Sequence, residues 1–208
     1  MSRKSVLMWS GRLLIAAGML ALLIAGFFYL QSALFQSASN RAFDRLRAAR
    51  RSPAASQLTA ALDPGSRAAR NAARVPTGAE VGRIQIPSLH LSAIILQGTG
   101  AGTLRLAVGH YPSSALPGEG GNVVLAGHRD TFFRPLRNIR RGDRIILETP
   151  RATLDYRVET TAVVNPNDVA VLAPTAGNIL TLVTCFPFYY IGPAPHRFIV
   201  RAKLVPRS

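Results

Sequence analysis

The hydrophobic pattern of this 208-residue chain changes character twice. From residue 13 to 30 every position is apolar or glycine, and after Gln31 and Ser32 the run resumes with Ala33, Leu34 and Phe35. At about 1.5 Å per residue, a helix over 13–35 reaches roughly 34 Å, enough to cross a hydrocarbon core of about 30 Å. The run exceeds the usual span of a cleaved signal peptide, so it reads as a retained anchor, although Arg3, Lys4 and the small residues Ser37-Ala38-Ser39 also suit a signal sequence. Residues 36–79 are rich in Ala, Arg, Ser and Pro and poor in large apolar side chains after Leu62. That composition predicts a stalk without its own core, with a short helix over 40–51 and helical turns over 54–73 interrupted at Pro64 and Gly65.

From Val81 onward the period shortens. Apolar or alternating runs occupy 81–86, 91–96, 104–108, 122–126, 144–148, 154–158, 162–164, 179–185 and 197–204, each bounded by Gly, Pro or polar residues. These runs have strand length and abundant β-branched residues, which predicts an all-β sandwich or closed barrel. Short helical turns are expected at 131–138 and 167–172. The chain divides into a basic tail (1–12), a transmembrane anchor (13–35), a linker (36–79) and a β-domain (80–208).

The last two runs carry the geometry of a candidate site. A strand period of two puts Thr181, Val183 and Cys185 on one face, and Arg197, Ile199, Arg201 and Lys203 on one face of the next strand. Paired antiparallel, the two strands bring Cys185 opposite Arg197 at the mouth of the loop 186–196. Arg201 would lie roughly 13 Å further along.

Composition narrows the chemistry. Cys185 is the single cysteine, so no intramolecular disulfide forms and the thiol is uncommitted. The four histidines, His90, His110, His128 and His196, are scattered without metal-ligand spacing, and no acidic cluster suits calcium. The formal charge is +15, and the basic excess is concentrated beside the anchor, where it suits anionic head groups. Basic residues flank the apolar run on both sides, so charge leaves the topology open. No nucleic-acid-binding motif accompanies them, and no nucleic-acid partner is expected.

A cysteine that attacks a carbonyl needs a proton acceptor that later serves as acid, and histidine suits both tasks near neutral pH. His128 follows the apolar run 122–126 and Gly127, a strand-end position. Arg197 stays charged and can hold a tetrahedral oxyanion. Each residue also has a plain structural reading: buried thiol, turn-stabilising imidazole and strand arginine. His110 is a rival base.

Together, the stretch Gly-Asn-Val-Val-Leu-Ala-Gly-His-Arg-Asp-Thr-Phe-Phe (121–133), Thr-Leu-Val-Thr-Cys (181–185) and His-Arg-Phe (196–198) resemble the sortase family of cysteine transpeptidases, most nearly class D. The resemblance covers about residues 80–206. It implies an eight-stranded β-barrel with short helices behind a single-pass signal-anchor, the barrel lying outside the cell membrane, and a catalytic set of His128, Cys185 and Arg197. It implies as substrates exported proteins with a C-terminal Leu-Pro-x-Thr-Gly or Leu-Pro-x-Thr-Ala sorting signal. Cleavage after Thr would pass through a thioacyl intermediate to an amine acceptor on a wall precursor or a pilin lysine. Thr184, Val169, Val171 and Leu172, with Val163 and Val164 nearby, are the candidate substrate contacts. No cofactor and no metal are expected. A competing reading is an inert, membrane-anchored β-domain that binds anionic wall polymer through Arg134, Arg137, Arg140, Arg141 and Arg144. Papain-like enzymes place Cys before His, and the caspase Gln-Ala-Cys signature is absent.

Overall fold

The computed structural model describes residues 3–51, 75–189 and 192–206; the helical turns expected over 54–73 lie outside the described residues. Helix α1 (Arg3–Arg51) is continuous. No proline interrupts it, and Pro53 follows just beyond its end, where a helix must stop. Its most apolar 18-residue window has a mean hydropathy of 2.5 and none of it is buried within the protein; by length and composition the segment can cross a membrane.

Beyond residue 35 the same helix lies on the β-domain. Phe43 is 1 % exposed and packs on Ile94, Leu96 and Ala107, with Phe35 at the edge of the cluster. Gln36 is held from both ends of its amide: its Nε2 donates to Leu106 O (2.8 Å) and its Oε1 accepts from Ile94 N (2.9 Å). Arg83 donates to Asp44 (2.9 Å), Asn40 (3.2 Å) and Glu148 (2.7 Å), while Arg47 pairs with Glu148 and donates to Thr153 Oγ1 (2.7 Å). Residues 36–51 are therefore the last third of the same helix, built onto the domain. The helix expected over 40–51 is present, but one aromatic side chain and a row of polar ones dock it where low hydrophobicity suggested a free stalk.

The domain is a closed eight-stranded barrel in the order β1-β2-β3-β4-β7-β8-β6-β5. The strands are β1 (Glu80–Ile86), β2 (Leu91–Gln97), β3 (Val108–His110), β4 (Asn122–Ala126), β5 (Arg144–Glu148), β6 (Thr153–Val164), β7 (Ile179–Phe186) and β8 (His196–Leu204). Pairs β2–β3 and β4–β7 are parallel and the others antiparallel. Alternate residues fill the interior: Ile84, Ile86, Val123, Leu125, Ile145, Leu147, Leu180, Leu182, Val200 and Ala202 all belong to one buried cluster. Closure leaves no unpaired sheet edge. Helix α1 crosses β2, β1 and β5 on the outside, since Ile94, Arg83 and Glu148 are neighbours in register.

Three of the expected runs differ. Residues 104–108 do not form one strand, because helix α2 (Ala101–Leu106) precedes the short β3. Leu-rich runs this short fit either period, and the α1 contact at Leu106 favours the helix. The runs 154–158 and 162–164 merge into β6, whose polar middle stays extended through a bulge near Glu159 because β8 pairs along its length. The helical turns appear as 3-10 turns at Arg134–Asn138 and Val169–Leu172.

Candidate active site

Strand β7 has β4 on one side and β8 on the other, and this order assembles the site. Cys185 pairs directly with Arg197 across the antiparallel β7–β8 ladder. Directly opposed residues share a face, so both side chains leave the barrel outward while Leu182 and Thr184 point in. Across the parallel β4–β7 ladder Ala126 is level with Val183. Gly127 N continues that ladder by donating to Val183 O (3.1 Å), and two residues of further register put His128 level with Cys185. Neighbouring strands are about 4.8 Å apart, so histidine and arginine backbones flank the cysteine at one strand spacing each. Cys185 and Arg197 are half-buried and His128 is exposed.

The turn that presents His128 is shaped by Phe133. Phe133 N donates to His128 O (3.1 Å), and its ring is fully buried beneath the turn. A methyl group at Gly127 would meet that ring at 2.8 Å, which explains the glycine. Thr184 is 2 % exposed, and its hydroxyl donates to Gly127 O (2.8 Å), tying the residue before the cysteine to the residue before the histidine. The Thr184 side chain therefore faces the His128 turn from inside the barrel wall.

The loop 186–196 is fastened to the same turn. Arg129 Nη1 donates to Pro187 O (2.9 Å) and Nη2 to Gly192 O (2.9 Å), one carbonyl on each arm of the loop. Arg137 stacks over the Tyr189 ring at 5.4 Å. Phe186, Phe188 and Phe198 form an aromatic cluster with centroids 5.3–6.3 Å apart. Arg197 Nη1 donates to Ala194 O (3.2 Å) and His196 O (3.0 Å), so the guanidinium is oriented by its own loop.

Residues 165–178 lie over the outer faces of β4 and β7. Asn122, 2 % exposed, donates through Nδ2 to Val171 O (3.1 Å) and Ala173 O (3.0 Å) and accepts from Thr181 Oγ1 (2.7 Å). This covering explains why outward-facing Thr181 is fully buried. Val171 and Leu172 are half-buried, whereas Val169 is 68 % and Val163 48 % exposed. Val164 pairs with Arg197, so the rim of this wall begins level with the cysteine.

His110 is placed elsewhere. It pairs with Leu125, is fully buried, and contacts Gln97 Oε1 (2.7 Å), Ala115 O (2.9 Å) and Ser114 Oγ (3.2 Å). Burial pushes its pKa down, opposed by the Ala115 carbonyl and Glu119. A ring enclosed in this way is not brought to Cys185. Of the basic cluster, Arg144 is paired with Asp155 and Arg137 with Tyr189. Among the described residues no group of three or more His, Cys, Asp or Glu side chains is arranged to hold a metal ion.

Asn122 and Arg129 were not singled out by sequence, although both stand inside the 121–133 motif. Their signal is a polar residue at each end of an apolar strand that needs no polar residue for its own pairing.

The structure is thus a closed barrel in which a free cysteine pairs with an arginine beside a histidine-bearing turn. The Sortase domain family matches residues 84–205, and the chain belongs to that family. Sortase D of Bacillus subtilis is 37 % identical over 130 residues, 62 % of this chain and 66 % of that one. Across its curated sortase relatives the chain spans between 46 % and 66 % of their lengths. A Clostridium perfringens sortase D5 transpeptidase superposes with a TM-score of 0.60 at 27 % identity, covering 69 % of this chain and 90 % of that one. Clostridium perfringens sortase C, solved with the C-terminal cell wall sorting motif, gives 0.59 at 28 %, covering 64 % and 74 %.

Proposed function

We propose that this chain is a membrane-anchored cysteine transpeptidase acting on exported proteins with a C-terminal sorting signal of the Leu-Pro-x-Thr-Gly or Leu-Pro-x-Thr-Ala type. The observation that supports the reading is that Cys185 pairs with Arg197 across β7–β8 while Gly127, the residue before His128, extends the β4–β7 ladder by bonding to Val183 O. The Cys185 thiolate attacks the Thr carbonyl carbon, and Arg197 stabilises the resulting oxyanion. Collapse breaks the C–N bond, His128 protonates the departing amine, and a thioester remains on Cys185. An acceptor amine, from a wall precursor or a pilin lysine, then attacks the thioester and passes its proton to His128. The new amide forms and the thiolate is released; water in place of the amine gives hydrolysis.

The substrate lies along the outer faces of β7 and β4, with Ala126 and Val183 beneath it and Val169, Val171 and Leu172 as its wall. In this reading Thr184 supports the site from behind. In this reading α1 is the anchor and the barrel lies on the outer face of the cell membrane, where sorting signals are exposed. The test is a fluorogenic Leu-Pro-x-Thr-Gly/Ala peptide supplied with an amine. Cys185→Ala should abolish turnover and the thioacyl adduct seen by mass spectrometry; undiminished turnover refutes the assignment.

A further inference from the structure

The docking of α1 fixes more than an attachment point. Trp9 and Tyr29 are both exposed on this helix and separated by 20 residues. That separation is about 30 Å of helix, the thickness of a hydrocarbon core, and Trp and Tyr favour the two membrane–water interfaces. Taken as the interface markers, the pair puts Phe28 and Tyr29 at the edge nearest the barrel and leaves residues 30–35 of the apolar run, expected within the span, on the barrel side, where Phe35 packs on the docked cluster. Arg105, on helix α2 of the barrel, lies with its guanidinium 5.3 Å from the centre of the Phe28 ring. A barrel residue thus stands at the level where the apolar span leaves the bilayer.

The barrel is not free to lift away from this level. Seven residues after Tyr29, Gln36 is bonded to Leu106 and Ile94; further on Phe43 is buried, and Asp44 and Arg47 are ion-paired to Arg83 and Glu148. These contacts span the helix over several turns and hold one wall of the barrel along it. The docked α2 exposes Ala101, Gly102 and Arg105.

We infer that the α2 flank of the barrel is a membrane-contacting surface, seated at the phospholipid head groups with Arg105 against lipid phosphate. Resting on the reading of α1 as an anchor, this fixes the height of the candidate site. Helix α2 leads into β3, whose Gly109 pairs with Ala126, so α2 lies at the end of the barrel where β4 runs on to His128; in this reading Cys185 works on chains presented close to the bilayer. Arg105 supplies both a charge for phosphate and a cation for the Phe28 face. The opposite end of the docked segment is far from lipid: Arg47 is 18 residues beyond Tyr29, about 27 Å along the helix.

The experiment uses the full chain in the Cys185→Ala background, reconstituted into nanodiscs whose lipids carry a head-group nitroxide. A bimane fluorophore is attached through Ala101→Cys on α2 or through Arg151→Cys in the turn beside Thr153, both exposed positions. The fluorophore at 101 is expected to be strongly quenched and that at 151 to stay near its unquenched intensity. Equal quenching at the two positions overturns the inference. Adding Phe43→Asp should abolish quenching at 101 by releasing the barrel, and retained quenching would show that docking does not set the contact. In phosphatidylglycerol discs Arg105→Glu should reduce quenching at 101, and an unchanged signal there overturns the phosphate contact. A carbonate wash separates the two levels of failure. A chain recovered in the wash refutes the anchor itself, whereas a retained chain with equal quenching refutes the membrane-facing surface alone.

Discussion

Thr184→Val tests whether the threonine before the cysteine supports the site or touches the substrate. The substitution keeps the side-chain shape and removes one hydroxyl. That hydroxyl donates to Gly127 O at 2.8 Å from a position 2 % exposed, and Gly127 is itself buried. Leaving a buried carbonyl without its donor costs about 1–3 kcal/mol. For a barrel of this size each kcal/mol lowers Tm by roughly 4 °C, so Tm should fall by about 4–12 °C in a calorimetric or fluorescence melt. Function should fall further than stability explains, because Gly127 carries His128. A displacement of the imidazole by about 1 Å is enough to lower kcat roughly 10²-fold. With the fluorogenic peptide, kcat should drop at nearly constant KM, while Thr184→Ser retains both stability and turnover. A substrate contact would do the reverse, raising KM and leaving Tm in place. An unchanged Tm with an effect confined to KM refutes the positioning role.

Asn122→Ala removes the donor to Val171 O and Ala173 O and leaves the buried Thr181 hydroxyl without its acceptor; it should destabilise by about 1–3 kcal/mol and raise KM through a loosened wall, read from melts and peptide kinetics. Arg129→Ala releases both arms of the loop 186–196, so amide exchange at 186–189 and 192–196 should quicken and kcat/KM should fall. Arg129→Lys cannot span both carbonyls and should rescue little; near-wild-type exchange in Arg129→Ala would sink the clamp. His110 has its folded pKa lowered chiefly by burial, so the unfolded chain takes up the proton first. Its contribution is whole above the unfolded pKa of about 6.5 and is lost as pH falls through that value towards the folded one. Tm of the parent should therefore drop on acidification below that point, and His110→Gln should flatten this part of the profile.

The alternation of residues 179–185 and 197–204 was sufficient to place Cys185 opposite Arg197, because two short strands joined by one loop have few ways to pair. The same spacing put Arg201 further along the ladder, and it pairs with Thr181, four residues from the cysteine along β7. The position of His128 was legible by resemblance alone. It depends on the parallel β4–β7 pairing, which joins strands more than fifty residues apart and leaves no local period. Helix α2 escaped notice since Leu104, Leu106 and Val108 alternate as a strand would. The docking of α1 escaped for a different reason. Its specificity lies in Phe43, Gln36 and four charged side chains meeting three strands, whereas a compositional reading of 36–79 registers only that large apolar residues are scarce.

The polar residues of the two motifs gain a common explanation from the β4–β7 pair. Asn122 and Thr181 are bonded on the outer side at one end of the ladder, and Gly127 and Thr184 on the inner side at the other. A one-residue slip of β4 against β7 would turn every side chain to the wrong face and leave both threonines unpaired. A two-residue slip would preserve the faces but break both bonds, and it would carry His128 about 6.6 Å away from the level of Cys185. Apolar packing by Val123, Leu125, Leu180 and Leu182 tolerates such a shift far better than these two directional bonds, since the slipped strands would still present branched aliphatic side chains to the core. The threonines and the asparagine thus act as a register lock at both ends of a short parallel ladder. The fixed spacing of Thr181, Thr184 and Cys185 follows, because the lock holds the histidine from a distant turn level with the thiol.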